Sequence, residues 1–156
     1  MNNCELHVNE AGEYLGAGTK NSKIYAEKAG DDAGYHINNC ELYINKAGNN
    51  LGVNANNNII YANETGHNTG MNMKNSKLYI KKLNGNIADS CFRGNNEIYL
   101  SKESYESFIK YCPQYKEKVK IWKEWEYYQF EIFILKAPKT FNAMSSWDLK
   151  AKNVIF

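Results

Sequence analysis

The sequence predicts a mainly β protein in which short strands stack one above another, and three observations support this prediction. The chain has 156 residues, the size of one domain. Its composition is uneven, because 21 of its 23 Asn lie in the first 100 residues and all 11 Gly lie at or before Gly94. The third observation is that the same half contains a repeat with a period of 18. A half so poor in bulky apolar residues must be disordered or a stacked repeat, and the regular spacing favours the repeat.

The repeat becomes visible when the chain is divided into blocks of equal length that begin at Cys4, Ser22, Cys40 and Asn58. These four blocks align without gaps: CELHVNEAGEYLGAGTKN, SKIYAEKAGDDAGYHINN, CELYINKAGNNLGVNANN and NIIYANETGHNTGMNMKN. A fifth block reaches Asn95 with two additional residues, and a partial sixth ends at Ser101. We call each block a coil and number the positions within it from 1 to 18. The repeat therefore predicts a solenoid over residues 1–101.

The first positions of each coil have the alternation of a β-strand. Position 3 is always Leu or Ile, position 5 is apolar, and position 1 is small or polar, so these side chains are predicted to point inward. A second strand is predicted from position 12 to position 16, with the side chain at position 14 also inward. The members of position 3 are Leu6, Ile24, Leu42, Ile60, Leu78 and Ile98.

Glycine and asparagine recur at fixed positions that are typical of corners. Positions 9 and 13 are Gly in the first four coils, and both are predicted to be corners, because Gly tolerates left-handed backbone angles. Position 18 is Asn in all five coils, and stacked Asn amides can hydrogen-bond to one another along the axis. The members of position 18 are Asn21, Asn39, Asn57, Asn75 and Asn95.

The spacing of these residues resembles that of a known fold family. The motif G-x-x-φ-x-N-x-x-φ-Y-φ is formed here by Gly34, Ile37, Asn39, Leu42, Tyr43 and Ile44. It is similar to the Asn-rich repeats of right-handed parallel β-helix proteins, which include pectate-lyase-like enzymes, the copper-site maturation protein NosD and phage tailspikes. The left-handed hexapeptide pattern fails, because the residue six positions after position 3 is Gly. The resemblance, over residues 2–101, implies a right-handed parallel β-helix of about five coils and says little about activity.

The remaining residues, 102–156, are predicted to form a small α+β cap over the last coil. Tyr105, Phe108, Ile109 and Cys112 share one helix face, which predicts a helix from Lys102 to Cys112 that ends at Pro113. A second amphipathic helix is predicted from Gln114 to about Glu126. Strands are predicted from Phe130 to Leu135 and from Ala151 to Phe156.

Position 4 supplies the candidate binding surface. It points outward and carries five tyrosines: Tyr25, Tyr43, Tyr61, Tyr79 and Tyr99. Such an aromatic strip can bind a protein partner or stack on sugar rings. Alternatively, the rings stack on one another to stabilise the sheet, or the Trp-bearing tail covers them.

Other candidate sites have weaker support. The three histidines lie at different positions of the coil, and the acidic pair Asp31-Asp32 lies in a corner. Asp89 and the following insertion at Phe92-Arg93-Gly94 break the repeat, so a site could be placed there, although a turn out of the solenoid is the simpler interpretation. The basic stretch from Lys116 to Lys123 is typical of a solvated helix face. The sequence predicts no catalytic residue, metal ligand or cofactor, and it favours reduced cysteines over disulfides.

The expected function is a non-catalytic binding or structural module that presents its tyrosine face to a protein partner, as a phage-encoded or surface component. The alternatives are a carbohydrate-binding or carbohydrate-active β-helix protein and a small inhibitor or adaptor. The net charge of +2 argues against nucleic-acid binding. With no apolar run of membrane length and no secretory signal, the sequence predicts no membrane association and a cytoplasmic location, or a virion or surface location for a fragment of a larger protein. Nothing before Cys4 covers the first coil, so the chain is expected to be part of a longer solenoid, to pair end-to-end with itself, or to add its first strand to the sheet of a protein partner.

Overall fold

A computed structural model describes residues 1–123. Within these residues, seven parallel strands form a single sheet in chain order. The strands are β1 (Glu5–Ala11), β2 (Lys23–Ala29), β3 (Glu41–Ala47), β4 (Ile59–Thr65), β5 (Lys77–Leu83), β6 (Glu97–Leu100) and β7 (Val119–Ile121). This sheet is consistent with a parallel β-solenoid. It confirms the predicted first strand of every coil.

The register of the sheet follows the repeat. Leu6 pairs with Ile24, Ile24 with Leu42, and Leu42 with Ile60, so position 3 always faces position 3. Like residues therefore stack in rows that run along the sheet. The short apolar side chains of positions 3 and 5 fill the space on its inner side, where Ile24, Leu42 and Ile60 are fully buried.

The predicted second strand, from position 12 to position 16, is wrong. Positions 11, 13 and 15 have positive φ angles, as in coil three at Asn50 (58°), Gly52 (73°) and Asn54 (55°), so the backbone turns instead of extending. Neighbouring coils nevertheless remain paired, because Asn54 N donates to Met71 O at 2.9 Å and Gly52 N donates to Ala33 O at 2.9 Å. Outside the named strands, neighbouring coils form only isolated parallel β-bridges, mainly at position 17, such as the bridge between Asn38 and Asn56.

Glycine is favoured at positions 9 and 13 for different reasons. Position 13 has the predicted left-handed backbone. Position 9 directly follows the last residue of each of the first four strands, as a corner should, but its φ angle is not positive. A Cβ at Gly48 would lie 2.8 Å from Gly30 C and 2.9 Å from Asp31 N, so glycine is needed there because the backbones of successive coils come too close for a side chain.

The core is a narrow column between the strands and the turns. Positions 12 and 16 face it, as Leu51 (1% exposed) and Met73 (0%) illustrate. Position 14 was predicted to face inward, but of coils one to four only coil three has a buried residue there, Val53; Ala17 is exposed, and Tyr35 and Met71 are half-buried. The left-handed residues on either side of position 14 rotate its side chain away from the core.

The segment after β6 continues the sheet by another route. Helix α1 (Lys102–Tyr111) confirms the first predicted helix, and its N-cap Ser101 accepts a hydrogen bond from Ser104 N at 3.1 Å. The predicted second helix is wrong: a 3₁₀ helix (Pro113–Lys118) leads into β7. Val119 pairs with Ile98 and Ile121 with Leu100, so the β-branched residues serve as another rung.

The strands predicted at residues 130–135 and 151–156 lie outside the described residues. Within residues 1–123, no helix has the length and apolar character needed to cross a membrane.

Candidate functional site

The tyrosine row, defined as Tyr25, Tyr43, Tyr61, Tyr79 and Tyr99, is a continuous stack on the outer side of the sheet. Adjacent ring centroids are 4.9, 5.0, 4.5 and 4.6 Å apart, and adjacent ring planes differ by 6° to 13°. The parallel register imposes this geometry, because it places position 4 of each strand beside position 4 of the next. The face of each interior ring is therefore occupied by its neighbours.

The row is bounded at both ends and partly covered. His7 stacks on Tyr25 with a centroid distance of 4.6 Å, and Lys120 Nζ lies 5.6 Å from the centroid of Tyr99. Trp122 packs over the middle of the row, 5.6 Å from Tyr79 and 6.3 Å from Tyr61 between ring centroids. Tyr43 and Tyr79 are only 2% and 8% exposed. The row thus offers ring edges, with their hydroxyl groups, more than open ring faces.

The hydroxyl groups take part in an outer hydrogen-bonded layer. Tyr43 Oη donates to Glu41 Oε2 at 2.5 Å, and Tyr99 Oη donates to Glu97 Oε2 at 2.7 Å. Burial, followed by the bond to Glu41, raises the pKa of Tyr43 well above its ordinary value. Burial also raises the pKa of Tyr25, with smaller contributions from Glu5 and Glu41.

Polar side chains form ladders on both sides of the row. At position 2, opposite charges pair across neighbouring coils: Lys23 Nζ lies 3.4 Å from Glu41 Oε1. At position 6, Asn63 Nδ2 donates to Asn45 Oδ1 at 2.9 Å, and Asn45 Nδ2 donates to Glu27 Oε1 at 2.8 Å. These bonds tie successive coils together.

The predicted Asn ladder at position 18 is present in part. Asn39 Nδ2 donates to Asn21 Oδ1 at 2.7 Å and Asn95 Nδ2 to Asn75 Oδ1 at 3.2 Å, whereas Asn75 Nδ2 turns to Asn56. All its members have positive φ angles, 49° at Asn75 to 58° at Asn95. Asn is therefore favoured here for its backbone conformation as well as for its side-chain bonds.

The first coil is less enclosed than the others. Within the described residues β1 pairs with β2 alone, and Leu6 and Val8 are only partly buried, whereas Ile24 and Ala26 at the same positions of coil two are 0% and 4% exposed. Residues 1–3 already occupy the end of a preceding coil. Met1 O accepts from Lys20 N at 3.0 Å, and Asn3 N donates to Lys20 O at 3.1 Å.

The remaining candidates from the sequence do not come together. The Asp31 carboxylate accepts a hydrogen bond from Asn49 N at 2.7 Å, and the exposed Asp89 carboxylate accepts one from Tyr115 Oη at 3.0 Å. Residues 1–123 contain no group of three or more His, Cys, Asp or Glu side chains that could hold a metal ion. The four cysteines are unpaired thiols, and burial raises the pKa of Cys91 to about 12.

Sequence reasoning offered coverage of the row by the Trp-bearing tail as one alternative, but it did not identify Trp122 as the residue concerned or Lys120 as the residue that closes the row. The signal that could have revealed both is the pattern of β7, since Val119-Lys120-Ile121 repeats the apolar–outward–apolar order of Ile98-Tyr99-Leu100 at a longer spacing than the regular coils use. Comparison with family models, with curated proteins and with solved structures gives no significant match to this chain.

Proposed function

We propose that this chain is a right-handed parallel β-solenoid of about five coils that acts as a non-catalytic binding and structural module. Right-handedness is supported by the strong preference of parallel strand–crossover–strand connections for that hand. The proposed binding element is the open side of β1, which would pair with a strand of another protein chain, a second copy being the first candidate. The observation that carries this proposal is that β1 pairs on one side only within the described residues.

The backbone of β1 supports this proposal. Lys23 N donates to Cys4 O at 2.9 Å, and residues alternate along a strand, so Leu6 and Val8 direct their backbone groups toward β2. Glu5 and His7 then direct theirs toward the open side. An added strand would satisfy these groups and cover the partly exposed Leu6 and Val8 side chains, as β-augmentation does in other proteins.

The tyrosine row fits the same module as a rigid outer spine. Sugar rings bind to open aromatic faces, and here each interior face is occupied by the next tyrosine at 4.5–5.0 Å. A protein partner that met this surface would contact ring edges and hydroxyl groups. The stacking therefore supports a protein partner over a glycan for Tyr25, Tyr43, Tyr61, Tyr79 and Tyr99.

The test combines solution mass with hydrogen exchange on the full chain. Wild-type protein should form a species heavier than the 17.9 kDa monomer, and the amides of Glu5 and His7 should exchange as slowly as those of Lys23 and Tyr25, the same positions in coil two. Glu5→Pro removes an open-side N–H at the first residue of the strand, where proline is tolerated, and should give a folded monomer. The control Glu5→Gln keeps that N–H and should keep the heavier species.

A mass of 17.9 kDa at all concentrations would contradict pairing with a second copy. Slow exchange in such a monomer would show that this chain itself covers β1. Fast exchange would show that the edge stays unpaired.

A further inference from the structure

The single arginine of this chain lies at a cavity that the repeat does not account for. The sequence has 19 basic residues, of which Arg93 alone is Arg. The cavity measures about 550 Å³ and opens to solvent where the last coil meets the segment that follows β6. Its lining residues are Phe92, Arg93, Asn95, Asn96, Ile98 and Lys118.

The insertion in coil five builds the apolar wall of this cavity. Coil five has two additional residues, and the chain there forms a 3₁₀ helix over Asp89–Arg93. Phe92 stacks on Tyr115 with a centroid distance of 3.9 Å and an angle of 11° between the planes. The Tyr115 hydroxyl in turn donates to Asp89 at 3.0 Å. These contacts hold the Phe92 ring in place without a ligand.

The amide nitrogens of the cavity are already used. Asn96 Nδ2 donates to Met73 O at 2.7 Å and to Cys91 O at 2.8 Å, and its Oδ1 accepts from Ser76 N at 2.9 Å. Asn95 Nδ2 donates to Asn75 Oδ1 at 3.2 Å. The hydrogen-bonding capacity left for a ligand therefore comes mainly from the two cationic side chains.

Those two cations have no carboxylate partner in the part of the chain that the structure describes. Arg93 and Lys118 are both exposed, and neither belongs to any of the four ion pairs found in residues 1–123. Phe92 and Ile98 are apolar because they belong to the core. Packing does not explain why two positive charges, Arg93 and Lys118, lie on the rim of the same cavity. Like charges that share a cavity favour an anion between them.

We propose that this cavity binds a small organic anion, with a carboxylate or phosphate group at Arg93 and Lys118 and a flat apolar body against the part of the Phe92 ring that remains exposed. A guanidinium presents paired N–H donors that match the two oxygens of a carboxylate or phosphate, whereas an ammonium acts as a point charge. Arg93 provides the directional contact and Lys118 the additional charge.

The test uses the full chain and four probes: benzoate, phenyl phosphate, inorganic phosphate and benzyl alcohol. Binding is followed by NMR titration that includes the Arg93 Nε–H signal. At least one of the two aromatic anions should bind saturably and shift that signal, and the stronger of the two identifies the preferred anionic group. Inorganic phosphate and neutral benzyl alcohol should each bind at least about tenfold more weakly than the preferred aromatic anion, because each lacks one half of the interaction.

Three exposed positions provide the variants. Arg93→Lys keeps the charge but loses the paired donors and should weaken binding of the aromatic anion about tenfold or more. Lys118→Gln should weaken it less, about threefold, as an exposed charge contact. The control Lys46→Gln, exposed on β3, should leave binding unchanged. Equal thermal midpoints would establish that all three variants are folded.

The proposal is overturned if neither aromatic anion saturates at millimolar concentration. It is also overturned if benzyl alcohol binds as well as benzoate, which would indicate an apolar crevice, or if Arg93→Lys and Lys46→Gln bind the aromatic anion equally well. In contrast, weaker binding at higher NaCl concentration would support it, since screening acts on exposed charges.

Discussion

Coils two to four and the segment from Asp89 to Lys123 solve the same packing problem in different ways. In the regular coils the chain returns to its starting position at a constant interval, and every residue stacks on its equivalent. In the later segment the interval between paired residues lengthens, first from Leu78 to Ile98 and then from Ile98 to Val119, and a helix replaces the turns. The sheet nevertheless continues into β7, where Val119 extends the buried row of position 3, whereas Ile121 is exposed. The difference shows that the strand is the constant unit of this architecture, whereas the rest of the coil can change and can acquire a cavity.

The largest expected effects come from removing one core side chain in each region. Leu42→Ala empties a fully buried site in β3 and should lower the free energy of unfolding by about 2–5 kcal/mol. Phe108→Ala removes the buried residue of α1 and should lower the free energy of opening of α1 by about 3–5 kcal/mol. Denaturant unfolding and hydrogen exchange measure the two quantities.

The extent of each effect tests whether the regions are separate. Each coil of a stacked repeat contacts mainly its neighbours, so Leu42→Ala should speed exchange throughout β2, β3 and β4. Phe108→Ala should speed it in β6, α1 and β7 and leave β2 and β3 unchanged. Equal acceleration of β2 and β3 by both variants would show that the two regions unfold as one unit.

The sequence predicted the regular region well because equivalent residues could be compared directly. The strands, their parallel order and the inward rows at positions 3 and 5 all follow from five aligned coils. The turns were harder, because a residue such as Asn54 does not reveal from its identity alone that φ is 55°. The alternation of left-handed residues also moved Tyr35 and Met71 out of the core, against the period-2 pattern.

The candidate site could be predicted only in part, for a similar reason. The tyrosine row follows from the repeat, since position 4 must stack on position 4. Its coverage by Trp122 depends on a contact between residues far apart in sequence, such as Tyr61 and Trp122. The cavity at Arg93 depends on the spatial meeting of coil five with Lys118, which no local pattern encodes.

A smaller effect tests whether the regular coils owe their glycines to close stacking. Gly48→Ala places a Cβ 2.8 Å from Gly30 C, and the clash with backbone should cost about 1–3 kcal/mol. Gly12→Ala, at the same position of coil one, meets nothing within 4 Å and should change stability by less than about 0.5 kcal/mol. Denaturant midpoints with unchanged slopes would measure both.

Gly12→Ala and Gly48→Ala together also test whether another chain packs on the first coil. A large cost for Gly12→Ala in concentrated protein, with a small cost in dilute protein, would indicate that another chain packs against Gly12. A small cost for Gly48→Ala would contradict the steric explanation for position 9.

The smallest expected effect concerns the hydrogen bond from a tyrosine of the row to the glutamate two residues before it, which occurs in both regions. Tyr43 donates to Glu41 in the regular region, where the tyrosine is buried, and Tyr99 donates to Glu97 at the edge of the irregular one. At this second site the Tyr99 bond is the main cause that lowers the pKa of Glu97, with smaller contributions from Lys77 and Lys120. A carboxylate with a lowered folded-state pKa stabilises the fold above its unfolded-state pKa, and this stabilisation is lost as the pH falls through the folded-state value.

Tyr99→Phe should therefore raise the pKa of Glu97 toward its ordinary value and reduce the loss of stability on acidification through the Glu97 titration. NMR titration of the Glu97 carboxyl measures the first effect, and denaturant unfolding at a series of acidic pH values measures the second. Lys77→Gln is the matched control, because Lys77 lies 4.0 Å from the same carboxylate and contributes charge without the Tyr99 bond. It should move the pKa of Glu97 in the same direction by a smaller amount, because an exposed ion pair is weakened by solvent. If Lys77→Gln raised the pKa of Glu97 further than Tyr99→Phe, the charge of Lys77 rather than the tyrosine hydroxyl would be the main cause of the lowered pKa.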